Sequence, residues 1–205
     1  MPDPFNIIDV GTHMEVRLTS ADETNRLTRA CVLALTGALL SLSENAKPLI
    51  VAGNSRFFSA GADLREIQSL DAVEALAFAR TGQRLMNVID CFPRPVFAAV
   101  EGYCMGGGLD LALACHRRVA SPNAIFGHRG AALGLMTGWG GTQRLPHLIG
   151  KSRTLALLAK AEKIHAQEAL TIGLVDAIAD DPTAEALRRL REREFASRPF
   201  PSASS

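Results

Sequence analysis

Two short runs constrain the fold of this chain more than any other feature. Residues 48–53 read PLIVAG and residues 96–100 read VFAAV. A strand that is apolar at every position has no face to show water, so it belongs inside a sheet covered on both sides, the setting of parallel strands. Parallel strands need a crossover to return the chain. Residues 71–90, amphipathic and ended by Cys91-Phe92-Pro93-Arg94-Pro95, supply a helix between the two runs. The alternation continues downstream, with short strands predicted at 117–120, 124–127 and 174–179 and helices at 109–114, within 138–149, and at 151–160, 166–173 and 183–193. Upstream, 5–10 and 14–18 read as a hairpin around Gly11-Thr12. Ser20-Ala21-Asp22-Glu23 has the pattern of a capping box, which predicts a helix from there to about residue 42, with Leu27, Cys31, Leu35 and Leu39 along one stripe. Residues 54–63 read as a Gly/Ser-containing loop. Strands alternating with helices give an α/β layout with largely parallel pairing.

The charge balance narrows the partners. Lys and Arg number 22 against 21 Asp and Glu, a net charge of +1, so there is no basic excess for a nucleic-acid surface. With 47% hydrophobic residues and 21% charged over 205 residues, the chain can bury a substantial core without staples. No apolar run reaches the ~18 residues of a membrane span. The start, Met1-Pro2-Asp3-Pro4, lacks the basic and apolar regions of a signal peptide, which predicts a cytoplasmic protein. Cys31, Cys91, Cys104 and Cys115 are too sparse for a disulfide framework and read as reduced thiols. The five histidines show no ligand-like spacing, so no metal site is expected.

Two loops carry the candidate chemistry. One, at 57–64, follows the PLIVAG strand; the other, at 101–110, follows VFAAV and contains Gly106-Gly107-Gly108. Each puts small residues where a buried strand ends and a helix should start. Backbone N–H groups there lack internal partners, and the helix dipole favours negative charge. Two such loops side by side can aim two N–H donors at one oxygen, the requirement of an oxyanion hole. The glycines fit neither G-x-G-x-x-G nor a P-loop, which argues against the dinucleotide and P-loop readings.

In order, the chain carries FFSAGADLREI (57–67), RPVFAAVEGYCMGGGLDLALAC (94–115), GWGGTQRLPHLIGKSRTLALL (138–158) and AQEALTIGLVD (166–176). Together these resemble the crotonase (enoyl-CoA hydratase/isomerase) superfamily over roughly residues 5–180. The resemblance implies a crotonase-like spiral of ββα turns at 1–180 binding an acyl-CoA thioester, with no permanently bound cofactor and coenzyme A entering as part of the substrate. It also implies a homo-oligomer, trimer or hexamer. By motif position the oxyanion donors fall on the N–H groups of Ala62 and Gly107. The segment with Ala60, Asp63 and Leu64 would cradle the coenzyme, and Gly106 and Trp139 would border the acyl group.

The chain also departs from that pattern. Hydratases of the superfamily use two glutamates around a water. Asp110 stands at the first position and Gly130 at the second, which can transfer no proton. Asp110 becomes the first candidate acid/base group and His128 the second, its unperturbed pKa of about 6.5 suiting the task. Arg65 and the cluster Arg188, Arg189, Arg191 and Arg193 are candidates for phosphate contacts, although such clusters usually face solvent. For this superfamily the chain is short: after residue 180 only a short helix at 181–197 and a disordered tail at 198–205 are expected. The reading is an enoyl-CoA hydratase/isomerase-type enzyme. The alternatives are an acyl-CoA decarboxylase of the same superfamily and a catalytically silent acyl-CoA-binding or assembly protein.

Overall fold

The computed structural model describes residues 3–192. The expected tail at 198–205 and the last residues of the expected final helix lie outside that range. The chain alternates between two sheets. Strands β1 (Phe5–Asp9) and β2 (Met14–Leu18) form the expected antiparallel hairpin, and β2 then pairs in parallel with β4 (Leu49–Ala52). Parallel pairing continues through β7 (Val96–Val100) and β9 (Arg117–Ala120) to β12 (Ala177–Ile178), giving a six-stranded sheet in the order β1-β2-β4-β7-β9-β12. A second sheet holds β5 (Phe57–Ser59), β8 (Tyr103–Met105), β10 (Ile125–Gly127) and β11 (Lys163–His165), in the order β11-β10-β8-β5. A short parallel pair, β3 (Arg26–Leu27) with β6 (Gly61–Ala62), completes the set. Each turn of the chain thus leaves one strand in each sheet and returns through a helix, the spiral that the resemblance implies.

The helices are α1 (Arg29–Ser43), α2 (Leu64–Gln68), α3 (Ala72–Asp90), α4 (Gly107–Ala114), α5 (Gly141–Ile149), α6 (Lys151–Lys160), α7 (Ala166–Thr171) and α8 (Pro182–Glu192). They explain why β4 and β7 are apolar at every position. Leu49, Val51, Val96, Ala98 and Val100 face the main core with α1 and α3. The alternate residues Ile50, Ala52, Phe97 and Ala99 form a second cluster with Val119, against Ala186, Leu187 and Leu190 of α8. A strand covered on both faces needs both sets. Helix α4 is the most enclosed element, with all eight residues buried. Its C-terminal carbonyls are met by Arg118 on β9, which donates to Cys115 O at 2.8 Å and to Ala112 O at 3.4 Å, and which also donates to Leu174 O at 2.8 Å.

Three expectations are corrected. The helix predicted from Ser20 begins at Arg29, capped by Thr28, whose hydroxyl accepts from Cys31 N. Residues 20–25 form a turn instead. Asp22 Oδ1 accepts from the Thr24 N–H and hydroxyl, Asn25 N donates to Ser20 Oγ, and Glu23 and Asn25 are left-handed, which no helix continues through. Residues 54–63 are not simply loop, because they contain β5 and β6. Finally, β11 lies where no strand was predicted, held against β10. Among the described residues no helix is long and apolar enough to cross a membrane, and no group of three or more His, Cys, Asp or Glu could hold a metal ion.

Candidate active site

The two small-residue loops meet, and the reason lies in the turn before α1. Asn25 Nδ2 donates to Phe57 O at 2.8 Å and to Phe58 O at 3.3 Å, and Ala60 N donates to Thr24 O at 2.9 Å. Ser59 Oγ donates to Asn25 O and accepts from Gly61 N. These bonds bend the chain at Gly61, whose φ of +92° is left-handed territory. A Cβ at Gly61 would lie 2.5 Å from Met105 O and 2.8 Å from Gly107 N, so only glycine lets the loops touch. From the other side, Gly106 N donates to Gly127 O at 2.9 Å, and α4 opens at Gly107 with no side-chain cap. The Gly107 N–H is one of the helix's first, partnerless donors. A Cβ at Gly107 would sit 3.2 Å from Ala62 N, which places the two main-chain N–H groups next to each other.

They border a cavity of about 460 Å³. Of the residues named from sequence, Ala60, Ala62, Leu64, Gly106, Gly107, Asp110, His128 and Trp139 all line it. Asp63 does not. Its buried carboxylate caps α2, accepting from Arg65 N at 2.9 Å, and pairs with the Arg65 guanidinium at 2.7 Å, which holds its carboxyl below the usual range. Arg65 is therefore engaged locally. Arg188 and Arg189 pair with Glu185 along α8, on the far side of the six-stranded sheet from the main core. Arg193 lies outside the described residues.

The wall is mostly apolar, with Leu64, Ile67, Leu70, Phe78 and Leu135 among its members. Trp139 spans it. One edge of the indole lies against Gly82 on α3, where a Cβ would come 2.1 Å from Nε1; the other edge lies against Gly107, where a Cβ would come 2.5 Å from Cζ3. The Phe78 ring stands 5.3 Å away, centroid to centroid.

The polar end of the cavity is one cluster. Asp110, in the first turn of α4, has its side chain only 3% exposed. Its Oδ1 lies 3.3 Å from His128 Nε2, just past the end of β10, and its Oδ2 accepts from Thr137 Oγ1 at 2.7 Å. Thr137 was missed from sequence, since a lone threonine 27 residues downstream belongs to no motif. Gly130 starts a 3₁₀ turn, Gly130–Leu133, and a Cβ there would come 2.7 Å from Leu135 O. That position is closed to a side chain while the turn keeps its shape. Behind the cluster, burial pushes the Cys104 thiol well above its ordinary range.

Comparison with known proteins agrees with the motifs. The family model described as enoyl-CoA hydratase/isomerase matches residues 11–199. The chain is 45% identical over 136 residues to a probable enoyl-CoA hydratase of Bacillus subtilis (strain 168), covering 66% of this chain and 53% of that protein. It is 40% identical over 157 residues to a crotonyl-CoA hydratase of Syntrophomonas wolfei, covering 75% of this chain and 60% of that one. It thus spans a little over half the length of these relatives. The crystal structure of an enoyl-CoA hydratase from Bacillus anthracis superposes with a TM-score of 0.87 at 30% identity, covering 95% of this chain and 77% of the other. The chain belongs to the enoyl-CoA hydratase/isomerase family of the crotonase superfamily.

Proposed function

We propose that the chain acts on an acyl-CoA thioester, and that hydration of a 2-enoyl-CoA is the reaction its site suits best. The observation that carries this reading is the adjacency of the Ala62 and Gly107 N–H groups at the rim of an apolar cavity whose polar end is the Asp110–His128 pair. In the reaction, the thioester oxygen lies between the two N–H groups and the acyl chain enters the cavity toward Trp139. Attack of water at Cβ drives charge onto the thioester oxygen. The fixed donors stabilise that enolate without reorganising, and one such donor contributes about 3–4 kcal/mol. The Asp110–His128 pair handles the proton. The same reading has the chain working as a homo-oligomer.

The test is spectrophotometric hydration of crotonyl-CoA by wild type and by Asp110→Ala. Turnover by wild type that Asp110→Ala loses supports the reading, and equal rates refute the role of the pair. A second reading, a silent acyl-CoA-binding protein, draws on Gly130, where the turn leaves no room for a second carboxylate. Calorimetry with acetyl-CoA separates the two. Binding without turnover of any acyl-CoA favours the silent protein, and failure to bind any CoA ester rejects both.

A further inference from the structure

Asp110 and His128 do not stand equally toward the cavity. Asp110 is the more enclosed, and both carboxylate oxygens have partners: Oδ2 accepts a hydrogen bond from the Thr137 hydroxyl, and Oδ1 faces His128 Nε2. An ionised carboxylate only accepts, so the Nε2–H tautomer is the one that makes this contact a hydrogen bond. His128 lines the cavity with its side chain 7% exposed, and no hydrogen bond from the described residues reaches its second nitrogen, Nδ1. Room for the contact is built in, because a Cβ at Gly141 would come within 2.5 Å of Oδ1. The titratable side chains lining the cavity are Asp110, His128 and Arg129, and an arginine does not give up its proton in proteins.

We propose that His128 Nδ1 is the proton acceptor and donor of this site, and that Asp110, itself fixed by Thr137, is a positioning residue that holds the imidazole in its Nε2–H form. The proposal rests on the acyl-CoA reading above and divides the labour within it. A water O–H gives its proton to Nδ1 as its oxygen bonds to Cβ of the enoyl thioester. The π electrons of the Cα=Cβ bond move to the thioester oxygen, making an enolate under the Ala62 and Gly107 N–H groups. The Asp110 carboxylate stabilises the imidazolium that forms. The imidazolium then returns the same proton to Cα, the enolate collapses, and the 3-hydroxyacyl thioester leaves. One water is added across one double bond, and the enzyme ends as it began. A single imidazole in this role needs no second carboxylate, which accords with the closed space at Gly130.

Two measurements test this. In wild type labelled with ¹⁵N-histidine, with the His128 signals identified by their loss in His128→Gln, NMR should find Nε2 protonated and Nδ1 bare. The reverse tautomer overturns the proposal. In crotonyl-CoA hydration, His128→Ala should lose about 100-fold or more in kcat with KM little changed. Added imidazole should restore part of that loss, which a structural role would not allow. Thr137→Val should lower kcat, and Thr137→Ser should recover it. A kcat for His128→Ala within threefold of wild type overturns the proposal. A wild type that binds crotonyl-CoA without turning it over refutes the hydratase reading instead, and the tautomer alone then decides the arrangement of the pair.

Discussion

Gly82→Ala is the substitution that most sharply tests how the apolar wall supports the site. In an exposed helix interior this change would stabilise by up to about 1 kcal/mol, because glycine is the weaker helix former. Gly82 is buried in the middle of α3, and the new methyl would stand 2.1 Å from Trp139 Nε1, 2.2 Å from Cδ1 and 2.3 Å from Cε2. Restoring an ordinary contact of about 3.5 Å requires the ring to retreat by roughly 1.4 Å. The indole is rigid and its far edge already lies against Gly107, so a straight retreat from α3 meets that residue. Overpacking of this kind costs about 1–3 kcal/mol, which exceeds the gain in propensity. The retreat also carries the far edge of the ring toward Gly107, and a displacement near 1 Å at a reacting centre costs on the order of 100-fold in rate. Gly82→Ala should therefore lower the urea midpoint and reduce crotonyl-CoA hydration. Adding Trp139→Leu to it should recover stability relative to Gly82→Ala alone. A Gly82→Ala protein as stable and as active as wild type would refute the argument that the indole bridges α3 and the Gly107 donor.

Three further predictions concern the scaffold. His116 accepts from Val96 N at Nδ1 and contacts Asp90 O through Nε2, and burial pushes its pKa below the ordinary value of 6.5. The folded state then binds fewer protons than the unfolded one, so stability is complete above about pH 6.5 and is lost as pH falls from there toward the folded-state value. Urea midpoints should show that decline in wild type, and His116→Phe should flatten it. Arg118→Met removes a buried cation, leaves the Cys115 and Leu174 carbonyls unpaired and weakens the contact with Asp176, so denaturant unfolding should show a loss of about 3–5 kcal/mol. Asn25→Ala removes the side-chain donor to the Phe57 and Phe58 carbonyls, leaving Phe57 O with the Asn54 N–H, and should cost about 1–3 kcal/mol in the same measurement.

Local patterns carried much of the fold. The apolar runs gave β4 and β7 because burial on both faces leaves an unmistakable composition, and α3 was bounded by its amphipathic pattern and the stop at Cys91–Pro95; its start at Asp71 is a capping box with Glu74. The pattern at Ser20–Glu23 failed because Asp22 accepts from the Thr24 N–H to close a turn, and because Asn25 is held by Phe57 O and Phe58 O, more than thirty residues away. Strands β5, β6 and β11 were missed for the same reason, since each is two or three residues long and exists only through pairing with a distant neighbour. In the site, the motifs located Ala62, Gly107 and Asp110, because glycine-rich strand-to-helix turns are written in sequence. The pairing of Asp110 with His128 and Thr137 was not written there, because it arises where α4, the end of β10 and the segment before α5 converge.

If the Ala62 and Gly107 N–H groups polarise a thioester carbonyl, the carbonyl stretch of the bound substrate carries the mark. Difference infrared spectroscopy with crotonyl-CoA carrying a ¹³C-labelled thioester carbonyl reads that contact directly. The bound carbonyl stretch should lie at lower frequency than in water. The shift should be lost in Gly107→Ala, whose methyl would crowd Ala62 N at 3.2 Å and Trp139 Cζ3 at 2.5 Å. A bound carbonyl with the frequency it has in water, or a shift that Gly107→Ala leaves intact, would show that the two N–H groups do not polarise the thioester.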